Sequence, residues 1–381
     1  MVIDKHLHLK NARRIVVKIG SGVLTLNHGL NLDIIETISD QISRLMDGGC
    51  QVILVSSGAI AAGVKKIGFK RRPDGIPARQ AAAAVGQAGL ILSYDRAFER
   101  HGKKVAQLLL TRDDLSNRRR YLNARNTINT LLAWNIVPII NENDTVVIEE
   151  IKLGDNDNLS AMITLLMDAE ILINLTDIDG LFDRDPRIHL DAQLIGEVTA
   201  ITRAMELAAC GIPGNLGTGG MLSKLKAAKK LSKAGIPMII AGGRNENILS
   251  RLVAGEPLGT YFLPGAKELN SKKCWIAYNL KPQGSICLDR GARDAVMNRG
   301  KSILPVGITH VEGEFGMGAP IEIKAPDNTV IGCGLANYSA ADLRRIMGLK
   351  TAAIKDVLGS KPYDDAIHRD NLAITVDCKP C

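Results

Sequence analysis

The first 260 or so residues alternate short runs of Val, Ile and Leu with segments whose apolar residues recur at helical spacing. Continuous apolar runs such as residues 14–19, 51–55 and 171–175 are typical of strands buried on both faces. Parallel strands need long crossover connections, which helices usually supply. The alternation therefore predicts an α/β fold, with a mostly parallel sheet sandwiched by helices, and leaves the strand order open.

The rest of this region follows the same alternation. We predict further strands at 104–110, 136–140 and 237–240, and helices at 32–46, 78–100, 121–134 and 157–167. Clusters of Gly, Ser, Asn and Asp follow several of these strands. Since ligands of such sheets bind at the carboxyl ends of the strands, these clusters are candidate binding loops.

The pattern changes after residue 262. Residues 263–274 have the composition of a linker, and residues 275–349 form short, glycine-punctuated, strand-like segments with one helix at 291–299. This pattern predicts a small β-rich second domain. We place the first domain at 12–262, the linker at 263–274, the second domain at 275–361 and a tail of no evident function at 362–381.

Composition limits the class of protein. A chain of 381 residues is long enough for two domains, and none of its apolar runs is long enough to cross a membrane. The polar N-terminal 14 residues lack the apolar segment of a signal peptide, so we expect a cytoplasmic protein. Seven scattered cysteines suit reduced thiols. Cys378 and Cys381 form one isolated pair, too few ligands for a structural zinc site, and their role stays open.

The segment 217–224 contains Gly217, Gly219 and Gly220 and ends in Lys224, where a helical pattern begins. Glycines let a backbone approach a ligand closely, and a helix N-terminus attracts anions. The segment therefore predicts a polyphosphate site, although it lacks the spacing of a Walker P-loop. A flexible loop before a surface helix is the alternative.

Other candidate residues also follow strands. Lys18 precedes a Gly-x-Gly sequence, which suits phosphate binding, although a solvated lysine is the alternative. The segments 141–145 and 154–160 carry acids and amides that could orient lysines or bind an ammonium, or could only cap helices and turns. The turn at 56–58 could bind a carboxylate, and no G-x-S-x-G sequence indicates a nucleophilic serine.

Two lysines, glycine-rich loops and several acids, with no histidine in these loops, point to phosphoryl transfer. Catalysis of this reaction consists mostly of positioning and charge neutralisation. A carboxylate acceptor is already ionised at neutral pH, because its pKa is about 4.3, so it needs no catalytic base.

Six segments, in this order, closely resemble the amino acid kinase family. They are residues 17–21, 56–60, 141–144, 154–161, 175–181 and 217–221. The resemblance covers residues 12–262, and residues 275–348 resemble the PUA domain that many members carry. The family resemblance implies transfer of the ATP γ-phosphoryl group to the side-chain carboxylate of L-glutamate, the first step towards proline.

By motif position, the resemblance gives catalytic roles to Lys18 and Lys224, which would neutralise charge, and to Asp157, which would hold both lysines. It implies that Ser57, Asp144 and Asn156 bind glutamate. The ATP-binding residues it implies are Lys18, Thr176, Asp177, Thr218, Gly219, Gly220, Met221, Leu222, Ser223 and Lys224. Many members have two small hydroxyl residues where this chain has Leu222 and Ser223, which puts one minor polar contact in doubt.

The resemblance also implies Mg²⁺ held through phosphates and water rather than by a protein metal site. It implies L-proline as a feedback inhibitor, with residues 78–89 near the relevant loop, and we expect a homo-oligomer, a dimer or a tetramer. The rival functions are kinases of the same fold that act on aspartate, acetylglutamate or nucleoside monophosphates. RNA is a weaker candidate partner, because residues 275–361 hold 11 Lys and Arg against 8 Asp and Glu, a net charge of only +3.

Overall fold

The computed structural model describes residues 9, 11–26, 29–146, 156–209, 220–265 and 270–375. The chain divides into two compact units, Met1–Glu268 and Leu269–Cys381. Each unit has its own buried apolar cluster. The domain and linker boundaries drawn from the sequence stay predictions.

An eight-stranded sheet runs through the first unit in the order β5-β6-β4-β1-β7-β9-β10-β8. Its strands are β1 (Arg14–Ile19), β4 (Gln51–Val55), β5 (Lys104–Leu110), β6 (Ile136–Glu142), β7 (Ile171–Thr176), β8 (Glu197–Val198), β9 (Met238–Gly242) and β10 (Thr260–Phe262). Neighbouring strands pair in parallel, except that β9 and β10 are antiparallel. A separate hairpin joins β2 (Thr25–Leu26) to β3 (Gly29–Leu30). The prediction of a mostly parallel α/β sheet is confirmed.

Helices connect most of these strands. In the described part of the first unit they are α1 (Ser21–Leu24), α2 (Leu32–Asp47), α3 (Ala59–Ile67), α4 (Ile76–Glu99), α5 (Arg112–Ser116), α6 (Arg118–Ala133), α7 (Asn156–Leu166), α8 (Arg203–Ala209), α9 (Met221–Lys233) and α10 (Ile248–Val253). Because helices cover the sheet, β7 is buried along its whole length and β1 along all but its first residue. Lys18 of β1 lies in register with Asn174 of β7, so both side chains lie on the same face of the sheet.

Two glycines let α3 and α4 pack closely. A Cβ atom at Gly63 would lie 1.7 Å from the carbonyl oxygen of Ala82, and one at Gly86 would lie 1.8 Å from the carbonyl oxygen of Ala59. No side chain fits at such distances. The close contact holds α3, and with it the Ser57 turn that precedes this helix, against α4.

The second unit is built on a five-stranded sheet in the order β12-β11-β13-β14-β15. Its elements are α11 (Ser271–Asn279), β11 (Gly284–Leu288), α12 (Arg290–Arg299), β12 (Ile308–Gly313), β13 (Pro320–Lys324), β14 (Val330–Leu335), α13 (Ala340–Ile346), α14 (Ile354–Leu358) and β15 (Leu372–Ile374). Three 3₁₀ turns also occur, at Pro305–Gly307, Thr351–Ala353 and Arg369–Asn371. The prediction of a small β-rich second domain is confirmed.

Two features of the second unit differ from the sequence expectations. The segment from residue 275, expected to be strand-like, begins inside helix α11, whose N-terminus is capped by the side chain of Asn270, which accepts a bond of 3.0 Å from the Lys273 amide. Strand β15 lies within the segment expected to be a tail and pairs with β14.

In the parts of the chain that the structure describes, no helix is both long and apolar enough to span a membrane. The four cysteines described there are free thiols: Cys50, Cys274, Cys287 and Cys333. The predicted pair Cys378 and Cys381 lies outside the described residues.

Candidate active site

The carboxylate of Asp157 is the centre of the candidate site. Its Oδ1 atom lies 2.5 Å from the Lys18 ammonium and accepts a bond of 2.8 Å from the Asn174 amide. Its Oδ2 atom lies 3.1 Å from the Lys224 ammonium and accepts a bond of 2.5 Å from the Ser223 hydroxyl. Each carboxylate oxygen therefore has one charged and one neutral donor.

Four elements supply these groups. Lys18 is near the carboxyl end of β1, Asn174 is near that of β7, Asp157 is in the first turn of α7, and Ser223 and Lys224 are in the first turn or so of α9. Parallel strands end at the same edge of a sheet, and the helices that follow begin there. The fold thus brings together residues that are far apart in the sequence.

The charged side chains of this cluster are buried. Lys18 and Lys224 are 5% exposed and Asp157 is 1% exposed. Burial alone would raise the pKa of Asp157, but the two ammonium groups and the hydrogen bonds from Lys18 and Ser223 hold this pKa well below its usual range. The carboxylate stays ionised, and one carboxylate facing two ammonium groups leaves the cluster a net charge of about +1.

A network of neutral polar side chains adjoins the charged cluster. The Asn156 amide nitrogen lies 2.9 Å from the Ser57 hydroxyl and 3.1 Å from the Asn141 side-chain oxygen, both as acceptors. Asn141 in turn donates a bond of 2.8 Å to Gln87 of α4. Two residues expected to bind glutamate, Ser57 and Asn156, are therefore in direct contact, and Asn156 precedes Asp157 in the chain.

Asp144, the third residue expected to bind glutamate, follows the end of β6. Burial raises the pKa of Asp144 to about 6, and the positive charge of Arg72 partly opposes this rise. A cationic partner stabilises the ionised form of a carboxylate that is poorly solvated in this way.

Three loops meet at the carboxyl ends of β1, β7 and β9. The Gly20 amide donates a bond of 2.9 Å to the Leu175 carbonyl, and the Gly243 amide donates one of 2.8 Å to the Thr176 carbonyl. A Cβ atom at Gly22 would lie 3.1 Å from the Asp177 carboxyl carbon. The Thr176 hydroxyl donates to Asp177 over 3.1 Å, so the two residues expected to bind ATP contact each other.

A pocket is lined by residues of the segment that follows Asp177 in the chain. Its walls include mainly apolar side chains, among them Ile178, Leu181, Phe182, Ile195, Met205 and Met221. Met221 is also the first residue of α9, so this helix begins at the pocket and reaches Lys224 one turn later.

The segment around the start of α9 is described only from residue 220 onwards. Gly220 is the N-cap of α9, and Leu222 is half-buried in its first turn. Ser223, expected to bind ATP, directs its hydroxyl to Asp157 and to the Gly220 carbonyl. Thr218 and Gly219 lie outside the described residues.

Sequence reasoning missed two polar residues of the site, Asn174 and Gln87. Asn174 is fully buried in an otherwise aliphatic part of β7, and Gln87 is 8% exposed in the alanine-rich helix α4. An amide in a buried aliphatic strand is the signal that could have revealed Asn174.

No group of three or more His, Cys, Asp or Glu side chains suited to holding a metal ion occurs among the residues that the structure describes. The described site offers ammonium groups, amides, a hydroxyl and a helix N-terminus, which is a donor set for anions. Such a set fits a nucleotide whose metal ion is held by phosphates and water.

Two families of known proteins match the chain. Residues 13–242 match the model of the amino acid kinase family, and residues 284–358 match the model of the PUA domain. Among solved structures, that of an isopentenyl phosphate kinase has 16% sequence identity and a TM-score of 0.46, and covers 65% of this chain and 99% of its own.

The chain is also similar to several bacterial proteins over nearly its whole length. The glutamate 5-kinase of Geobacter sulfurreducens is 51% identical over 367 residues, which are 96% of this chain and 98% of that protein. The glutamate 5-kinase of Syntrophus aciditrophicus is 50% identical, with coverages of 96% and 95%. That of Caldanaerobacter subterraneus subsp. tengcongensis is 47% identical, with coverages of 95% and 97%.

Proposed function

This chain belongs to the amino acid kinase family, and from that premise we propose that it transfers the γ-phosphoryl group of ATP to the side-chain carboxylate of L-glutamate. The product is L-glutamyl 5-phosphate, which makes the reaction the first step of proline biosynthesis. The observation that supports this proposal most directly is the contact of two buried ammonium groups, Lys18 and Lys224, with one carboxylate, Asp157.

The reaction needs charge neutralisation more than proton transfer. A γ-carboxylate oxygen of glutamate forms a bond to the γ-phosphorus, and the bond from that phosphorus to the oxygen bridging the β- and γ-phosphates breaks. The electron pair leaves with ADP. Because the attacking carboxylate is ionised at neutral pH, no side chain has to remove a proton. Lys18 and Lys224 supply positive charge on the phosphoryl group in transit, where such groups contribute most.

In this proposal glutamate binds beside the polar network. Ser57 and Asn156 bind glutamate, and Asp144 binds its ammonium group. The raised pKa of Asp144 supports this assignment, because a poorly solvated carboxylate binds an ammonium group favourably once it ionises.

The nucleotide occupies the other side of the cluster. Thr176, Asp177 and the segment from Thr218 to Lys224 hold it, with the phosphates at the N-terminus of α9 and the base in the adjoining apolar pocket. ATP is used as its Mg²⁺ complex, in which the ion neutralises phosphate charge. Phosphates and water would hold the ion.

The test combines the purified chain with MgATP and L-glutamate and traps the acyl phosphate with hydroxylamine. We expect formation of the hydroxamate with glutamate, not with aspartate or acetylglutamate. Transfer to nucleoside monophosphates gives no acyl phosphate, so it is followed with radiolabelled ATP, and we expect none. Faster transfer to one of these alternatives would contradict the assignment of the substrate.

The same assay tests the role of Lys224. We expect Lys224→Ala to lower kcat by roughly 10²–10³, the usual effect of removing one preorganised charge donor. Lys226→Ala is the matched control, because Lys226 is exposed on the same helix, and its kcat should equal that of the wild type. Near-normal turnover of Lys224→Ala would refute the proposed role.

Regulation and assembly stay predictions. We propose that L-proline inhibits the reaction, with residues 78–89 near the loop concerned. We also propose that the protein forms a dimer or a tetramer. Addition of proline to the trapping assay and sedimentation of the full chain test these two points. A gel-shift titration at two salt concentrations tests RNA binding by the second unit, for which we expect no salt-sensitive shift.

A further inference from the structure

Asn174 is an unusual residue for its position. It is completely buried in β7, between Ile173 and Leu175, in a strand whose first three residues are Ile, Leu and Ile. Asparagine is disfavoured in strands, and burying an amide without hydrogen bonds is unfavourable. A residue of this kind in an aliphatic strand needs a specific polar partner.

That partner is Asp157. The Asn174 amide nitrogen lies 2.8 Å from Asp157 Oδ1, the same oxygen that the Lys18 ammonium contacts. The amide oxygen of Asn174 is buried and has no hydrogen-bond partner among the residues that the structure describes. Turning the amide by 180° would place this oxygen against the carboxylate, so its orientation is fixed by electrostatic repulsion.

The donors around Asp157 divide into two matching pairs. Oδ1 has Lys18 and Asn174, and Oδ2 has Lys224 and Ser223. The neutral donors hold the carboxylate in one orientation without adding charge. Each ammonium group carries three N–H donors, so it can contact the carboxylate and still direct a donor to a phosphate.

We propose that Asn174 is a positioning residue for phosphoryl transfer: its amide fixes the Asp157 carboxylate and thereby the positions of the two ammonium groups. This inference rests on the proposed function. It concerns the geometry of the transition state, because Asn174 acts through Asp157 rather than on glutamate or ATP.

The first test replaces the amide by an apolar group of similar size. We expect Asn174→Leu to lower kcat by about tenfold or more, while KM for ATP and for glutamate change by less than about threefold. The matched control is Thr164→Val, which removes a buried hydroxyl of the same helix that carries Asp157; this hydroxyl donates to the Ser160 carbonyl over 2.7 Å. Its kcat should not change.

The second test uses Asn174→Asp, which separates positioning from a merely structural role. The introduced carboxyl can donate its proton to Asp157 and so replace the amide while it is protonated. Once it ionises, it repels Asp157 and cancels the net positive charge that Lys18 and Lys224 provide. We therefore expect the ratio of its kcat to the wild-type kcat to fall as pH rises.

The kcat values of the Asn174 variants decide whether this inference holds. A kcat of Asn174→Leu within about threefold of the wild type would overturn it, and so would a pH-independent ratio for Asn174→Asp. If Asn174→Leu does not fold, Asn174→Ala carries the same expectation and the same criterion. If the wild-type protein fails to phosphorylate glutamate, the proposed function is wrong. If the wild-type protein phosphorylates glutamate and the Asn174 variants keep the wild-type kcat, the proposed function stands and this inference alone is wrong.

Discussion

Replacing Asp157 by asparagine tests the charged cluster directly. The substitution keeps the size of the side chain but exchanges one acceptor oxygen for an NH₂ group. Four donors converge on the wild-type carboxylate, and an amide has one oxygen to accept them. The charge of these three side chains rises from about +1 to about +2, and Lys18 and Lys224 are only 5% exposed in the wild-type protein.

The expected loss of stability follows from this burial. Removing one partner of a buried ion pair typically costs about 3–5 kcal/mol, because the remaining charge is left without compensation. For domains of 150–250 residues, each kcal/mol lowers Tm by about 2–4 °C, so Asp157→Asn should lower Tm by roughly 6–20 °C. We also expect kcat to fall by roughly 10²–10³, because the ammonium groups are no longer held in place.

The variant should also differ from the wild-type protein in how strongly a bound nucleotide stabilises it. In the variant, the two lysines have lost the negative charge of Asp157, so a bound polyphosphate stabilises them more than it does in the wild type. Differential scanning fluorimetry with Mg²⁺ and a non-hydrolysable ATP analogue should therefore show a larger rise in Tm for Asp157→Asn than for the wild-type protein.

Asp168→Asn is the matched control. Asp168 is an exposed acid that pairs with Arg125 at 2.5 Å, and a surface pair of this kind contributes only about 0–1 kcal/mol. Its Tm, its kcat and its response to the analogue should match the wild type. The reasoning is refuted if Asp157→Asn keeps its Tm, or if the analogue stabilises it no more than it stabilises the wild-type protein.

Two further predictions concern glutamate binding and helix packing. The raised pKa of Asp144 means that its charged form decreases as pH falls through about 6. At saturating MgATP, kcat/KM for glutamate should therefore decrease as the pH is lowered below about 6. If the pH profile of Asp144→Asn shows the same decrease, the assignment is contradicted. Gly86→Ala would force its Cβ against the Ala59 carbonyl and should cost about 1–3 kcal/mol or more in urea unfolding. Gly89→Ala, in open space on the same helix, should be neutral or stabilising, and equal losses in both variants would refute the packing argument.

Much of the fold could be predicted, because burial on both faces leaves a clear sequence signal. Strands β1, β4 and β5 have the predicted bounds, and β1 and β4 are buried from their second residue onwards. The strand order could not be predicted, because contacts between β1, β4 and β7 depend on packing between distant segments. Helix α11 was also missed, since its start depends on one capping residue, Asn270, within a polar segment.

The candidate site was predictable to the extent that its residues lie at strand ends and helix starts. Lys18, Asp157 and Lys224 come from recognisable segments at strand ends and helix starts, and the fold brings these three together, while their catalytic roles stay predictions. Asn174 is different, because it lies inside a strand and its partner is 17 residues earlier in the sequence. Only the three-dimensional register between β1 and β7 places it beside Lys18.

Asp157 places a negative charge between two buried ammonium groups before any nucleotide binds. Two ammonium groups buried without a counter-charge would destabilise the folded protein. The carboxylate prevents this, and its four donors keep it ionised and fixed. In the proposed mechanism, two ammonium groups against one carboxylate provide the positive field at the phosphoryl group, and this field requires no rearrangement during the reaction. A second carboxylate at this position would cancel that charge, whereas the neutral amide of Asn174 and hydroxyl of Ser223 hold Asp157 without doing so.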